Sequence, residues 1–325
     1  MIKNSSIRRI CVATLALIIL LIIYFFPSNK PLIEESLNYT SKNEMPIFLM
    51  DKMEYVARTS IVKNSNDLNT QIEEIVESLT VGSKKSSYIK NGFKPLIPEN
   101  TKILNMEIKN QILTINFSKE FLNCEKEYEE KMLEALIYSL LELKEITKIE
   151  VLVENTNLKK LPKSNIKLPK YLDKSYGINK LYNFDSLKQT TKTTIYYICK
   201  NEQNNYYVPI TKVSNENIEK VEIIIKELQK TPIYHTNLIS YLASSTNISD
   251  YELLEKSISI SFDNYLLANI KDNNLLEEVK YSIFLSLRDT YGVNEVIFNI
   301  PNLEKSSIAV YKLLKSTWKS YIYII

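Results

Sequence analysis

LTINFSKEFL, residues 113–122, alternates apolar and polar side chains up to a Phe and then closes on an aromatic–Leu pair. ISISFDNYLL, residues 258–267, follows the same pattern about 145 positions later. Period-two alternation is the mark of a strand with one face buried. It assigns Leu113, Ile115 and Phe117 to a core in the first stretch, and Ile258, Ile260 and Phe262 to the matching core in the second. The order of elements around the two stretches also repeats. A strand pair (47–50 and 55–62, turning at Asp51-Lys52) precedes a helix striped by Leu68, Ile72, Ile75, Val76 and Leu79, with Ser65 or Asn66 as its cap. An irregular segment, 81–100, leads to strands 103–108 and 112–117. A helix over 125–143 then presents Leu133, Leu136, Ile137, Leu140 and Leu141 on one face, and strand 149–153 closes the unit.

The second half repeats that order: strands 194–199 and 206–213 about a turn at 201–205, a helix carrying Ile218, Val221, Ile225 and Leu228, strands 251–254 and 258–262, a helix over 276–290 and a strand over 296–300. YSLLELKEITKIEVLVEN (residues 138–155) aligns over LSLRDTYGVNEVIFNIPN (285–302), with Ser-Leu near the start of both. Gly292 is placed to end its helix in the left-handed region, where Gly carries no Cβ penalty. The first copy has Glu145 there. A duplicated unit of roughly 110 residues is domain-sized and too long for a solenoid repeat.

The predicted division is a cytoplasmic tail and membrane anchor at 1–28, a tether at 29–43, a first domain at 44–156, a Lys- and Asn-rich linker at 157–190, a second domain at 191–303 and a tail at 304–325. The anchor rests on ICVATLALIILLIIYFF, residues 10–26, an uncharged run at the short end of what spans a bilayer. Lys3, Arg8 and Arg9 precede it, so the positive-inside rule puts the N-terminus in the cytoplasm and the bulk outside, as a single-pass membrane protein. No small-x-small site follows Phe26, which disfavours cleavage, and Cys11 lies at the wrong end of the run for a lipoprotein signal.

Composition excludes several chemistries. The 325 residues carry a net charge of +3, without the clustered basic footprint of a nucleic-acid binder. The four Gly (82, 92, 177, 292) are too far apart for a phosphate loop. The lone His235, in a turn-like stretch and read as a surface residue, rules out a multi-His metal site. No CxxC pair occurs, and Cys124 and Cys199 read as free, buried residues. The sequons at Asn38, Asn116 and Asn247 read as chance. Glu125, Glu127, Glu129 and Glu130 read as a solvated helix start that suits the helix dipole. No catalytic, cofactor-binding or metal-binding residue is assigned. A carboxylate pair for glycoside hydrolysis is the one enzymatic alternative left open. The tail YKLLKSTWKSYIYII (311–325) reads in two ways. It is an extra element docked on the second domain, or a partner or membrane contact made through Trp318, Tyr321 and Tyr323 with Lys312, Lys315 and Lys319.

The lead-in LIPENTKI (96–103), the strand NQILTINFSKEF (110–121), the following Glu-rich helix and ITKIEVLV (146–153) together resemble the GerMN domain family, the sporulation and spore germination module of endospore-forming bacteria. The second copy keeps SISISFD (257–263) and GVNEVIF (292–298) but has 241–245 in place of the Pro-rich lead-in. Two copies behind an anchor resemble the GerM family. That resemblance implies an α+β fold: two tandem α/β sandwich-like domains, mostly antiparallel sheet packed on helices, similar to the ring-building motif of secretion-system components. It also implies a non-enzymatic role, needing no cofactor, in the envelope between mother cell and forespore. Its partners would be other envelope or sporulation-complex proteins, with homo-oligomerisation expected by analogy. The alternatives are an envelope binding or sensing module not tied to sporulation, or a cell-wall hydrolase.

Overall fold

The computed structural model describes residues 44–183, 190–200, 205–230, 237–263, 270–271, 274–299, 307–313 and 318–324. The expected anchor, the tether, His235 and Lys315 lie outside them. Among the described residues no helix is long and apolar enough to cross a membrane.

The first copy opens with the antiparallel hairpin β1 (Glu44–Asp51) and β2 (Val56–Val62), in which Phe48 faces Arg58. Helix α1 (Leu68–Leu79) follows. Its cap is Asp67 rather than Ser65 or Asn66: the Asp67 carboxylate accepts the Thr70 N–H at 2.8 Å, while the Ser65 hydroxyl accepts the Asp67 N–H. A short strand, β3 (Phe93–Lys94), interrupts the irregular segment. Strands β4 (Ile103–Lys109) and β5 (Ile112–Phe117) turn at Asn110-Gln111, both at positive φ (51° and 62°). Two left-handed residues in succession give the tight turn whose twist matches a hairpin.

Helix α2 runs only over Glu129–Leu140. It starts a turn later than the periodicity predicts, and Glu129 is buried rather than solvated: its carboxylate accepts the Lys163 and Ser164 N–H groups. Burying that charge becomes tolerable because backbone donors in the linker satisfy it. Strand β6 (Lys148–Val153) returns parallel to β5 and pairs with the two-residue β7 (Thr156–Asn157).

The linker contributes β8 (Leu181–Asn183), and the second copy then repeats the plan. Its hairpin is β9 (Thr191–Cys199) and β10 (Tyr206–Ser214), followed by α3 (Lys220–Leu228) and β11 (Leu238–Ile239). Next come β12 (Ile248–Leu253), β13 (Ser257–Phe262), the small pair β14 (Ile270–Lys271) and β15 (Asn274–Leu275), α4 (Glu277–Tyr291) and β16 (Glu295–Asn299). Gly292 ends α4 at φ 72°, ψ 19°, its N–H bonded to the Arg288 carbonyl. The tail is two further strands, β17 (Ser307–Leu313) and β18 (Trp318–Ile324).

The copies do not keep separate sheets. Their hairpins join in one sheet of order β11-β9-β10-β2-β1-β3, with β8 beside β10. That order is the same motif read from either end: short strand, hairpin, hairpin, short strand. Each copy also builds a sheet of its own, β4-β5-β6-β7 and β12-β13-β16-β17-β18. In these, Leu113, Ile115, Phe117, Ile258, Ile260 and Phe262 are all fully buried. Phe117 stacks on Phe121 and Phe262 on Phe298, at 4.5 and 6.2 Å between centroids.

The aligned Ser-Leu pairs have a structural purpose. Strand β1 is covered beyond its hairpin partner by α2, and β9 by α4. The Phe48 N–H donates to Ser139 Oγ at 2.8 Å, and the Tyr196 N–H donates to Ser286 Oγ at 2.9 Å. Each helix therefore satisfies a buried strand N–H that has no strand to pair with. Ser139→Ala and Ser286→Ala are each expected to destabilise the protein by about 1–3 kcal/mol, the cost of an orphaned buried donor. Urea unfolding of the two variants checks this, and a change under half a kilocalorie would remove the assignment.

Candidate functional site

The most elaborate polar construction among the described residues lies where the two copies and the linker meet. The end of α2 delivers Glu142, the last turn of α4 delivers Arg288 and Asp289, β2 delivers Arg58, and the linker delivers Lys174. Glu142 accepts from Arg288 through both carboxylate oxygens (2.6 and 3.1 Å) and from Lys174 at 2.9 Å, with Arg58 at 3.6 Å. Asp289 accepts from Lys174 at 2.6 Å, from Arg288 at 2.8 Å and from the Tyr196 hydroxyl. The Arg58 guanidinium lies over the Tyr281 ring, 5.8 Å from its centroid. The two-point Arg288–Glu142 pairing is the geometry a planar guanidinium supplies and an ammonium does not.

Burial alone would push the Glu142 carboxyl up. Arg288, Lys174 and Arg58 outweigh it and hold the group well below its ordinary value. Asp289 follows the same balance, burial against Arg288 and Lys174, and is also held down. A folded-state pKa below the unfolded one stabilises the fold above the unfolded value and loses that contribution as pH falls toward the folded one. The ordinary values are 4.5 and 3.8. Stability from this network is therefore expected to be complete at neutral pH and to fall away below pH 4.5. Urea midpoints measured from pH 7 down to pH 3 test this, and a midpoint flat across that range would refute it.

A cleft of about 900 Å³ opens beside the network, lined by the end of α2, residues 173–175 of the linker and the end of α4. Glycoside hydrolysis needs one carboxyl held protonated above its ordinary range. Here both best-placed carboxyls are held down, which is the wrong electrostatics for a general acid.

The linker also closes the shared sheet. β2 and β10 pair at Arg58 and Tyr207. The same register, two positions on, puts Val56 opposite Pro209, which has no N–H to give. The Asn179 side chain fills the gap: its Oδ1 accepts the Val56 N–H at 2.9 Å, and its Nδ2 donates to the Val56 and Pro209 carbonyls, both at 2.8 Å. Next to it, Lys180 bonds Glu130 and Glu134 at 2.8 and 2.7 Å and lies 3.9 Å from the Tyr176 ring centroid. Burial pushes the Glu134 carboxyl up despite Lys180.

A third tie crosses the junction at Asp51, whose Oδ1 accepts the Met53 and Tyr55 N–H groups and whose Oδ2 accepts the Tyr206 hydroxyl at 2.9 Å. Burial raises the Asp51 carboxyl in spite of these donors. Asp51→Asn keeps an oxygen for both N–H groups and places an amide donor toward the Tyr206 oxygen. It is expected to stay within about 1 kcal/mol of the parent at pH 7, while Asp51→Ala orphans the donors and loses about 3 kcal/mol. Thermal unfolding of the pair would show whether the two variants separate.

The residues singled out from the sequence lie elsewhere. Lys312 is on β17, and Trp318, Lys319, Tyr321 and Tyr323 are on β18, with Lys312 opposite Lys319 in the ladder. The junction itself went unassigned, although one signal pointed to it. Of 41 basic residues only four are Arg, and the two beyond the N-terminal tail are Arg58 and Arg288.

A family model described as "Germane: Sporulation and spore germination" matches residues 39–159. The spore germination protein GerM of Bacillus subtilis (strain 168) is 27% identical over 256 residues, an alignment spanning 77% of this chain and 69% of that protein. The solved tandem GerMN domains of the sporulation protein GerM from Bacillus subtilis superpose with a TM-score of 0.72 at 26% identity, covering 80% of this chain and 92% of that one. Residues 39–159 match the Germane model, and most of the chain is similar to GerM. The similarity to GerM extends through both copies, so the duplication read in the sequence matches the tandem GerMN arrangement, an α+β fold of mostly antiparallel sheets and few helices. The similarity to GerM supports a sporulation- or germination-related protein.

Proposed function

We propose that this chain is a membrane-anchored, extracytoplasmic assembly protein of sporulation or germination. It supports a multiprotein envelope complex between mother cell and forespore and catalyses no reaction. The observation that carries this reading is the use made of the buried and half-buried charges. Glu142, Asp289, Arg58, Arg288 and Lys174 pair with one another across the two copies and the linker, so the most costly polar groups of the fold hold its halves together. A scaffold needs a fixed relation between its two units, and this network supplies it. The uncharged run at 10–26, with basic residues before it, supports a single-pass anchor with a cytoplasmic N-terminus.

A fluorescent fusion at the N-terminus, followed through growth and sporulation, tests the proposal. Recruitment to the engulfing septum is the expected result. A uniform membrane signal that ignores sporulation would overturn it in favour of an envelope binding or sensing module.

A further inference from the structure

An unpaired strand edge is a template for another strand, and folded proteins blunt such edges with shortness, bulges or charges. Nearly every edge in the described residues is blunted in one of these ways. β3, β7, β11, β14 and β15 are two residues long, and β8 is three. β4 breaks register between Ile103 and Asn105 and carries the Glu107–Lys109 ion pair. β12 breaks register between Ile248 and Asp250 and carries Asp250 and Glu252.

β18 carries only one of these devices, a single charge. It is seven residues, WKSYIYI, without Pro, Gly or an acidic residue and with one charge, Lys319. It pairs with β17 in unbroken register over its whole length, and β17 pairs with β16 without a register shift over residues 309–312. Among the described residues nothing pairs with its other side. The first copy has no counterpart, since its sheet stops at the two-residue β7.

We infer that β18 is an interface for a second copy of this chain, joined edge to edge and antiparallel about a two-fold axis at Tyr321. The strand is self-complementary in that register. All seven positions pair: Trp318 with Ile324, Lys319 with Tyr323, Ser320 with Ile322, and Tyr321 with itself. The single charge then faces an uncharged position. The two Lys319 stand four residues apart along the ladder, about 13 Å at the usual rise, which exceeds the screening length of about 8 Å at physiological salt. Within the chain, by contrast, Lys319 stands opposite Lys312. Closing the edge on a copy of itself gives an isologous, self-limiting dimer rather than an open fibre. This inference does not rest on the sporulation reading.

Cysteine crosslinking of the full chain in its membrane tests it, with Cys11→Ser removing the third cysteine of the sequence. Partners directly opposite in an antiparallel ladder have Cα atoms about 4.5–5.5 Å apart, within disulfide reach. Tyr321→Cys is expected to give a covalent dimer on mild oxidation. Lys319→Cys alone is expected to give none, and the pair Lys319→Cys with Tyr323→Cys should restore it. Cys124 and Cys199, both buried, should stay unreactive and so report an intact fold. Absence of dimer at Tyr321→Cys, equal crosslinking at 319 and 321, or adducts only with a different protein would each overturn the inference.

Discussion

Glu142→Ala is expected to cost about 3–5 kcal/mol, the range for removing one partner from a buried ion pair. The size follows from what stays behind. Arg58 remains buried and Arg288 nearly so, with a carboxylate missing, and Lys174 keeps only Asp289 as an ion-pair partner. Glu142→Gln should recover little, because it keeps the shape and two polar atoms but leaves the positive charges uncompensated. Adding Arg288→Ala to Glu142→Ala should cost less than the two single losses together, since each removes the reason for the other's penalty. The measurement is the urea midpoint with its slope. An unchanged slope and a lowered midpoint would mean lost stability without a change in the surface exposed. A loss under 1 kcal/mol, or full additivity of the two changes, would show that the network is decoration rather than the tie between the copies.

Much of the fold could be read in the sequence because it is written in apolar spacing. Leu113, Ile115 and Phe117 alternate, and Leu133, Leu136, Ile137 and Leu140 recur at helical spacing. Both patterns say which face is buried whatever the partner. The Ser-Leu match revealed the duplication but not its purpose. A Ser inside a helix reads as neutral until the strand N–H that needs it is known. The linker was opaque for a different reason. A Lys- and Asn-rich stretch normally reads as solvated, yet Lys174, Asn179 and Lys180 are tied to residues from 30 to more than 120 positions away in sequence. Polar residues make a site only through partners brought by the fold, and no local pattern names those partners. The one clue was chemical. In a chain that uses Lys almost everywhere, Arg58 and Arg288 occupy places where a planar, permanently charged fork does what an ammonium cannot.

Asn179 provides the other large expected effect. Its amide takes the place of a ladder position that Pro209 cannot supply, and it sits at φ 47°, where Asn is tolerated better than most residues. Asn179→Ala loses three hydrogen bonds and adds left-handed strain, and about 3 kcal/mol should go with it. Asn179→Gly loses the same bonds without the strain and should be milder by about 1 kcal/mol. Asn179→Asp places a carboxylate toward two carbonyls and should be worse than either. The decisive variant is a second change. The Thr211 N–H donates to the Ile178 carbonyl, so β10 directs the N–H groups of this parity toward the linker side, where the one at Pro209 is missing. Pro209→Ala restores an N–H that can reach the Val56 carbonyl directly. In the Asn179→Ala background it should recover about 1 kcal/mol, whereas in the parent it meets an acceptor already taken and should gain nothing. A Pro209→Ala change with the same effect in both backgrounds would mean that Asn179 caps its own turn and does not complete the sheet.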